Sequence, residues 1–331
     1  MKAIWNVTRL CGWNCLICCV SAVHVNRSQV DDVYETMRDA GMELSFDEKK
    51  MIIDELYSNG IESVDLSGGD LLLRQEDIQL LEYAATKYAR DCLSISVPGQ
   101  GLTGELIGQL KQWVSKIEFT IDRMDDVKDG SRPTGYNQVS INAIKLCREN
   151  NIDTCVSTVL RRGNSSPENL KQIYDFLKEN NVNEWEIIPY YQVGRAADIY
   201  ALLPSADQMD CAVKYLDGIM TEGFVNISYQ HTLKNSISCE VKCNAVSRSI
   251  GILPDGTVTA CAWATGHNGK PVDDRFILGK LPDEKLAAIL SGRKAENWHI
   301  NKFNDDIAVC QVHEYNRKRL LPLKPAAVMA K

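Results

Sequence analysis

For the first two hundred residues the apolar positions switch repeatedly between a period near two and a period near 3.6. Ala3 to Thr8 is a short β-prone run, followed by a polar, poorly periodic stretch to about residue 44. Ser45-Phe46-Asp47-Glu48 has the spacing of a capping box, and Ile52, Ile53, Leu56 and Tyr57 recur at helical intervals until Asn59-Gly60 stops the helix. Ile61 to Leu66 reads as the next strand and runs into Ser67-Gly68-Gly69-Asp70. The pattern then repeats: helix Leu80 to Tyr88, strand Leu93 to Val97, helix Glu105 to Val114, strand Ile117 to Asp122, helix Val139 to Glu149. Strand Thr154 to Leu160, helix Pro167 to Asn180 and strand Trp185 to Tyr190 complete the series.

Strands separated by helices of this length predict βαβ units and a parallel sheet covered by helices. Six strands fall short of the eight that close a TIM barrel, so the expected fold is α/β, a partial (β/α)6 TIM-like barrel with its site at the C-terminal strand ends. After Gly194-Arg195-Ala196 the alternation fades. A helix is expected over residues 205 to 222, and Ile250 to Thr259 reads as a hairpin turning at Pro254-Asp255-Gly256. The division expected is a barrel over residues 1–200 and a smaller module over 201–331, with Lys324 to Lys331 fraying and no repeat or charge block marking a linker.

Composition narrows the class of function. The 331 residues are 44% hydrophobic and 24% charged, the profile of an ordinary globular chain. No run of about 18 apolar residues occurs, and MKAIWNVTRLCGW lacks the apolar core of a secretory signal, so no membrane partner and a cytoplasmic location are expected. A net charge of −7 argues against a main task of neutralising nucleic-acid phosphates.

Twelve cysteines without an export signal point to metal or redox chemistry rather than disulfides. Cys92, Cys147, Cys155 and Cys211 are scattered and read as small buried hydrophobes. The others form two groups, Cys11, Cys15, Cys18 and Cys19 near the start, and Cys239, Cys243, Cys261 and Cys310 near the end. Cys11-x3-Cys15-x2-Cys18 puts three thiolates on one loop, enough to bind three irons of a [4Fe–4S] cube and leave the fourth iron open. A zinc site recruiting Cys19 and a chance cluster are the competing readings. In Ser67-Gly68-Gly69-Asp70 the glycines let backbone approach a ligand and the acid can accept from an ammonium group, although a lone turn of this kind is commonly just a tight loop.

In this order on a βα repeat, the two motifs resemble the radical S-adenosylmethionine (radical SAM) superfamily. The resemblance implies Cys11, Cys15 and Cys18 as cluster ligands, S-adenosylmethionine on the open iron, and Gly68, Gly69 and Asp70 around its amino group. Asp70 stands where Glu is usual, and Ile17 where an aromatic often precedes the third cysteine. Phe119-Thr120-Ile121-Asp122, Asp125-Asp126 and Arg132-Pro133-x-Gly135 look like the subgroup carrying SPASM or twitch extensions, as does Gly194-Arg195-Ala196. By that likeness Thr120 and Arg132 contact the cofactor, the guanidinium meeting its carboxylate. The plainer reading is a strand end and a loop arginine paired with nearby aspartates.

The second cysteine group fits the same subgroup. Cys243-x12-Gly256-x4-Cys261 has the spacing of its auxiliary-cluster hairpin, with Cys310 arriving later. Where the family continues Cys-x-x-Cys, this chain reads Cys310-Gln311-Val312-His313. The fourth ligand is therefore His313, Cys239 or none, and one auxiliary cluster is expected, with a zinc site of Cys239, Cys243, Cys261 and Cys310 as the competing reading. His24, His231, His267 and His299 have no metal-pair spacing, whereas Tyr190, Tyr191 and Trp263 fall where a substrate cavity opens.

The resemblance implies reductive cleavage of S-adenosylmethionine to a 5′-deoxyadenosyl radical, hydrogen abstraction from substrate, and a flavodoxin- or ferredoxin-type reductant. The outcomes left open are cross-linking, dehydrogenation or epimerisation, the last with Cys239 or Cys19 as hydrogen donor. The substrate favoured is a ribosomally made peptide, with a small carbohydrate-like molecule as the alternative. A non-catalytic iron–sulfur or zinc protein is the rival from another class, and a polar-mechanism methyltransferase lacks its usual glycine-rich loop here.

Overall fold

A computed structural model describes residues 1–125, 130–230, 233, 243–301 and 310–320. Asp126, His231, Cys239 and the segment from Lys324 to Lys331 lie outside the described residues.

The sheet begins with β1, Lys2–Thr8, and two short strands, β2 (Leu10–Cys11) and β3 (Val23–His24), pair with each other beyond it. Next come α1 (Val30–Asp39), α2 (Phe46–Ser58), β4 (Ser63–Gly68), α3 (Gln75–Ala85), β5 (Leu93–Ser96), α4 (Gly104–Trp113) and β6 (Lys116–Thr120). They are followed by α5 (Tyr136–Glu149), β7 (Asp153–Leu160), α6 (Pro167–Glu179), β8 (Glu184–Pro189), α7 (Ala206–Met220) and β9 (Asn226–Tyr229). The last elements are β10 (Ser249–Ile252), β11 (Thr257–Thr259), β12 (Ile277–Lys280), α8 (Leu286–Ser291), α9 (Arg293–Asn301) and α10 (Gln311–Leu320).

All six expected strands are present, in the parallel order β1-β4-β5-β6-β7-β8, and the sheet does not close. It extends further than the sequence pattern indicates. β9 adds a parallel strand beside β8, and β10 pairs parallel with β1, so the C-terminal hairpin continues the barrel sheet instead of standing apart from it. The stretch read as aperiodic contains α1, whose Val30, Tyr34 and Met37 are buried at helical spacing. The capping box at Ser45 forms as expected: Glu48 N–H donates to Ser45 Oγ at 3.3 Å, and Ser45 N–H to Glu48 Oε2 at 2.7 Å. Such a cap contributes about 1 kcal/mol to holding α2 in place.

Alternation along the strands separates two environments. Trp5, Leu66, Ile95, Phe119, Val156 and Trp185 point outward into the layer between sheet and helices and are fully buried. Each large side chain taken out of water there contributes about 2–3 kcal/mol. The intervening positions, among them Asn6, Ser67, Ser96, Glu118, Ser157 and Glu186, face the barrel interior and line a cavity of about 340 Å³. Among the described residues no helix is long and apolar enough to cross a membrane.

Candidate functional site

The N-terminal cysteine loop leaves β1 at the C-terminal edge of the sheet and is fastened at its base. Glu43 Oε1 accepts from Thr8 Oγ1 at 3.0 Å and from Arg9 N–H at 2.6 Å. The β2–β3 pairing then closes the loop, with Val23 N–H on Arg9 O at 2.7 Å and Val25 N–H on Cys11 O at 3.0 Å. Its far side is held by Leu16 N–H donating to Ser131 O at 2.8 Å and by the segment 194–196. Arg195 N–H donates to Cys18 O at 2.9 Å, and its guanidinium spans the carbonyls of Cys15 and Ala22. Gly194, at φ +55°, lies so close to this loop that a Cβ would stand 2.3 Å from the carbonyl oxygens of Cys18 and Cys19.

Cys11, Cys15, Cys18 and Cys19 all line the interior cavity. Trp13 N–H points at Cys11 Sγ at 3.4 Å, Ala22 N–H at Cys18 Sγ at 3.2 Å, and Arg132 Nη1 at Cys15 Sγ at 3.8 Å. These are donors suited to thiolate sulfur. Burial pushes the Cys11, Cys15 and Cys19 thiols up, and the nearby Asp70 carboxylate adds to the rise at Cys11. A cationic cluster reverses that balance, because a coordinated thiol is deprotonated outright. The donor set on the loop thus fits a thiolate-ligated iron–sulfur cluster.

The Ser67-Gly68-Gly69-Asp70 turn is built against the same loop. Gly69 N–H donates to Thr8 O and Asp70 N–H to Leu10 O, both at 2.7 Å. Gly68 has φ +140°, and a Cβ on Gly69 would stand 2.1 Å from Leu10 O, so glycine is needed for the turn to meet β1 and β2. Ser67, Gly68 and Gly69 form part of the cavity wall, whereas Asp70 does not line it. Its Oδ1 accepts from Leu72 N–H at 3.1 Å, and Oδ2 is buried without a hydrogen-bond partner among the described residues. Burial pushes the carboxyl up to about 7.

Thr120 and Arg132 also reach the cavity. Thr120 Oγ1 shares a hydrogen bond of 3.2 Å with Ser157 Oγ. The Arg132 guanidinium pairs with Asp122 and lies 4.4 Å from the centroid of the Tyr136 ring. Burial alone would raise the Asp122 carboxyl, but Arg132 and Arg161, the latter at 3.3 Å, hold it below the usual carboxylate range. Arg132 therefore contacts an aspartate of its own chain and borders the cavity as well.

Deeper in the barrel the cavity is lined by Asp65, Glu118 and Glu186, with Lys2 Nζ 3.2 Å from Asp65 Oδ2. Burial pushes Glu118 and Glu186 up, helped by their mutual proximity to Asp65. The sequence reading does not single these residues out, since a polar residue at every second strand position resembles a solvent face. In a barrel that face looks inward.

At the other end of the chain lie Cys243, Cys261 and Cys310, each half-buried. The thiol of Cys261 is raised by burial and then by Cys310 and Cys243, which places the three within electrostatic reach of one another. Burial pushes the Cys310 thiol up, and the backbone at His313 and Val312 and the Tyr191 side chain oppose that rise. The His313 side chain itself is exposed, on the first turn of α10. Tyr190, Tyr191 and Trp263 all line the cavity, as their positions in sequence led us to expect. Among the described residues no three His, Cys, Asp or Glu side chains converge tightly enough to hold a single metal ion.

Comparison with known proteins agrees with this arrangement. Residues 5–177 match the radical SAM superfamily, and residues 243–312 match SPASM, an iron–sulfur cluster-binding domain. Among curated relatives, Fe-coproporphyrin III synthase of Methanosarcina barkeri is 25% identical over 54% of this chain and 41% of its own length. Mycofactocin maturase MftC of Mycobacterium tuberculosis is 25% identical over 84% of this chain and 66% of its own. The chain spans about half the length of curated relatives that it matches. Among solved structures, Streptococcus suis SuiB bound to its precursor peptide SuiA superposes with a TM-score of 0.69 at 15% identity, covering 92% of this chain and 67% of that one. That likeness carries the fold.

Proposed function

This chain belongs to the radical SAM superfamily, and from that premise we propose that it removes a hydrogen atom from a ribosomally made peptide as an oxidoreductase-type maturase. A [4Fe–4S] cluster with S-adenosylmethionine is the cofactor of the family, and the SPASM region adds auxiliary iron–sulfur chemistry. When bound, that cofactor supplies a radical able to take hydrogen from unactivated carbon, a reactivity side chains do not have.

The observation that carries the reading is the placing of Cys11, Cys15 and Cys18, with their N–H donors, on the wall of a cavity inside the barrel. In this reading those three residues hold the cluster. Gly68 and Gly69 present backbone to the cofactor, Asp70 follows them with a buried Oδ2 that has no partner among the described residues, and Thr120 and Arg132 line the same cavity. Tyr136 and Trp13, packed edge to face at 5.4 Å, help exclude water from the same space. Residues 1–200 carry this centre. Residues 201–331 carry the auxiliary site at Cys243, Cys261 and Cys310, with His313 or Cys239 as its further ligand.

The peptide substrate is supported by MftC, a mycofactocin maturase, and by SuiB, which binds a precursor peptide. A second reading, a small molecule taken into the barrel, is favoured by the match to Fe-coproporphyrin III synthase. A flavodoxin- or ferredoxin-type protein in the cytoplasm is the reductant we propose for either. The test is anaerobic reconstitution with iron and sulfide, addition of dithionite and S-adenosylmethionine, and mass spectrometry for 5′-deoxyadenosine. Its formation by the intact chain, and its loss on replacing Cys11, Cys15 and Cys18 by Ala, is the expected result. A fully loaded protein that makes none would instead be an electron carrier or a structural metal protein.

A further inference from the structure

Thr8 is the joint at which the cysteine loop and the Gly-Gly turn meet. Its carbonyl accepts from Gly69 N–H at 2.7 Å, and its hydroxyl oxygen accepts from Leu10 N–H at 3.1 Å. Leu10, one residue before Cys11, takes the Asp70 N–H on its own carbonyl at 2.7 Å. Glu43 grips this joint from outside the cavity, which its side chain does not line. Its Oε1 accepts from both Thr8 Oγ1 and Arg9 N–H, at 3.0 and 2.6 Å. The side chain is wholly buried, and Lys49 Nζ, hydrogen-bonded to Asp77 at 2.7 Å, stands 4.0 Å from the other carboxylate oxygen. The next residue along the loop between α1 and α2 is pinned twice. Leu44 N–H donates to Pro254 O at 3.1 Å, in the turn between β10 and β11, and Leu44 O accepts from the Tyr34 hydroxyl at 2.6 Å.

We propose that Glu43 is a positioning residue for the cofactor pocket, setting the spacing between the cysteine loop and the Gly-Gly turn through Thr8 and Arg9. The proposal rests on the reading of Cys11, Cys15 and Cys18 as cluster ligands with Gly68 and Gly69 beside S-adenosylmethionine. A cofactor held by two segments at once needs their separation fixed before it binds, since a misplacement of about 1 Å can cost on the order of a hundredfold. The β1–β4 ladder does not supply this by itself, because its register shifts between Asn6, paired with Ser67, and Thr8, paired with Gly68. Two donors on one carboxylate oxygen clamp the strand end at that irregularity. Through Leu44 the clamp is referred to the turn at Pro254, so the region that matches SPASM braces the cofactor pocket of the barrel.

The experiment uses the full chain reconstituted with iron and sulfide, and compares Glu43→Leu and Glu43→Gln with the wild type. Affinity for S-adenosylmethionine is measured by anaerobic equilibrium dialysis, with iron content and urea midpoint recorded alongside. Glu43→Leu takes the acceptor from two buried donors and should weaken binding at least about tenfold at equal iron content. Glu43→Gln keeps an amide oxygen for both donors and should bind within about twofold of the wild type. A glutamate with a structural role only would lower the urea midpoint of the Leu variant and leave the affinity of the folded, loaded protein unchanged, and that result overturns the assignment. Equal weakening in the Gln variant, which retains the acceptor, overturns it too. Should Glu43→Leu fail to load iron, Thr8→Val takes its place, removing the bridging hydroxyl while keeping the shape of the side chain. Weakened binding is then expected, and wild-type affinity overturns the assignment. A wild-type chain that loads its cluster and binds no S-adenosylmethionine overturns the reading beneath, and this assignment with it.

Discussion

Arg195 hydrogen-bonds the backbone carbonyl of Cys15, 180 residues earlier in the chain, and reaches Ala22 with the other arm of the same guanidinium. The loop whose three cysteines are proposed as cluster ligands is thereby held by a rigid two-armed donor from the far side of the barrel. Hydrogen bonds from a charged group contribute about 1.5–3 kcal/mol each. Arg195→Ala should therefore lower iron retention at the first cluster and shift the urea midpoint down. Arg195→Lys should rescue little, because an ammonium on a single stem does not reproduce the planar fork. Iron counting on both variants after gel filtration checks this.

Asp122 is the counter-charge shared by Arg132 and Arg161 beside the cavity. Asp122→Asn leaves two guanidinium groups in a buried setting without that carboxylate, a change that costs about 3–5 kcal/mol where a buried pair is broken. Because the folded carboxyl is held below its usual range, its contribution is present above the unfolded value near 3.9 and is lost as pH falls through the depressed one. Urea unfolding of the wild type between pH 3 and 6 should show that acid limb, and Asp122→Asn should flatten it.

Glu43 has the opposite sign. Its side chain is buried and Lys49, at 4.0 Å, is occupied by Asp77 at 2.7 Å, so burial pushes the Glu43 carboxyl up to about 7. The stability linked to this group is full below the unfolded value near 4.3 and declines as pH rises through about 7. Glu43→Gln keeps an oxygen for Thr8 Oγ1 and Arg9 N–H while removing the titration. The urea midpoint of the variant should fall less steeply over that range than that of the wild type.

Gly69→Ala tests the contact between the turn and the cysteine loop. The added methyl meets backbone oxygen at 2.1 Å, and the nearest atoms around it all belong to the backbone of Arg9 and Leu10. Overpacking of this kind costs about 1–3 kcal/mol or more. A clear loss of melting temperature in the protein without cofactor would show that the glycine serves the fold in addition to any ligand.

The βα alternation was legible because each barrel strand puts a large apolar residue into the outer layer, as Trp5, Phe119 and Trp185 do. β9 escaped because it is four residues long with two buried positions, too few to establish a period. α1 escaped for a different reason. Its stripe of Val30, Tyr34 and Met37 is narrow, and the charged residues between the buried positions mask it. At the site, the spacing of Cys11, Cys15 and Cys18 put three thiols on one loop but left zinc open as a reading, and the structure places all three on the cavity wall. The groups that position them were not legible, since Glu43, Asp77 and Lys49 look like surface charges until the fold buries them against one another. Nor does any local pattern reveal that Arg195 returns to Cys15, a contact set by topology.

The pairing of β10 with β1 also orders events during translation. β1 is the first strand of the sheet to leave the ribosome, and β4 can cover one of its edges early. Its other edge has no partner until residues 249–252 have been made, and at about 5–20 residues per second that delay is on the order of tens of seconds. Throughout it the nascent chain presents an uncovered strand edge beside its most cysteine-rich loop, a surface open to mispairing with other chains. A transcript cut short before β10 would leave that edge bare for good, so truncated products are expected in the insoluble fraction.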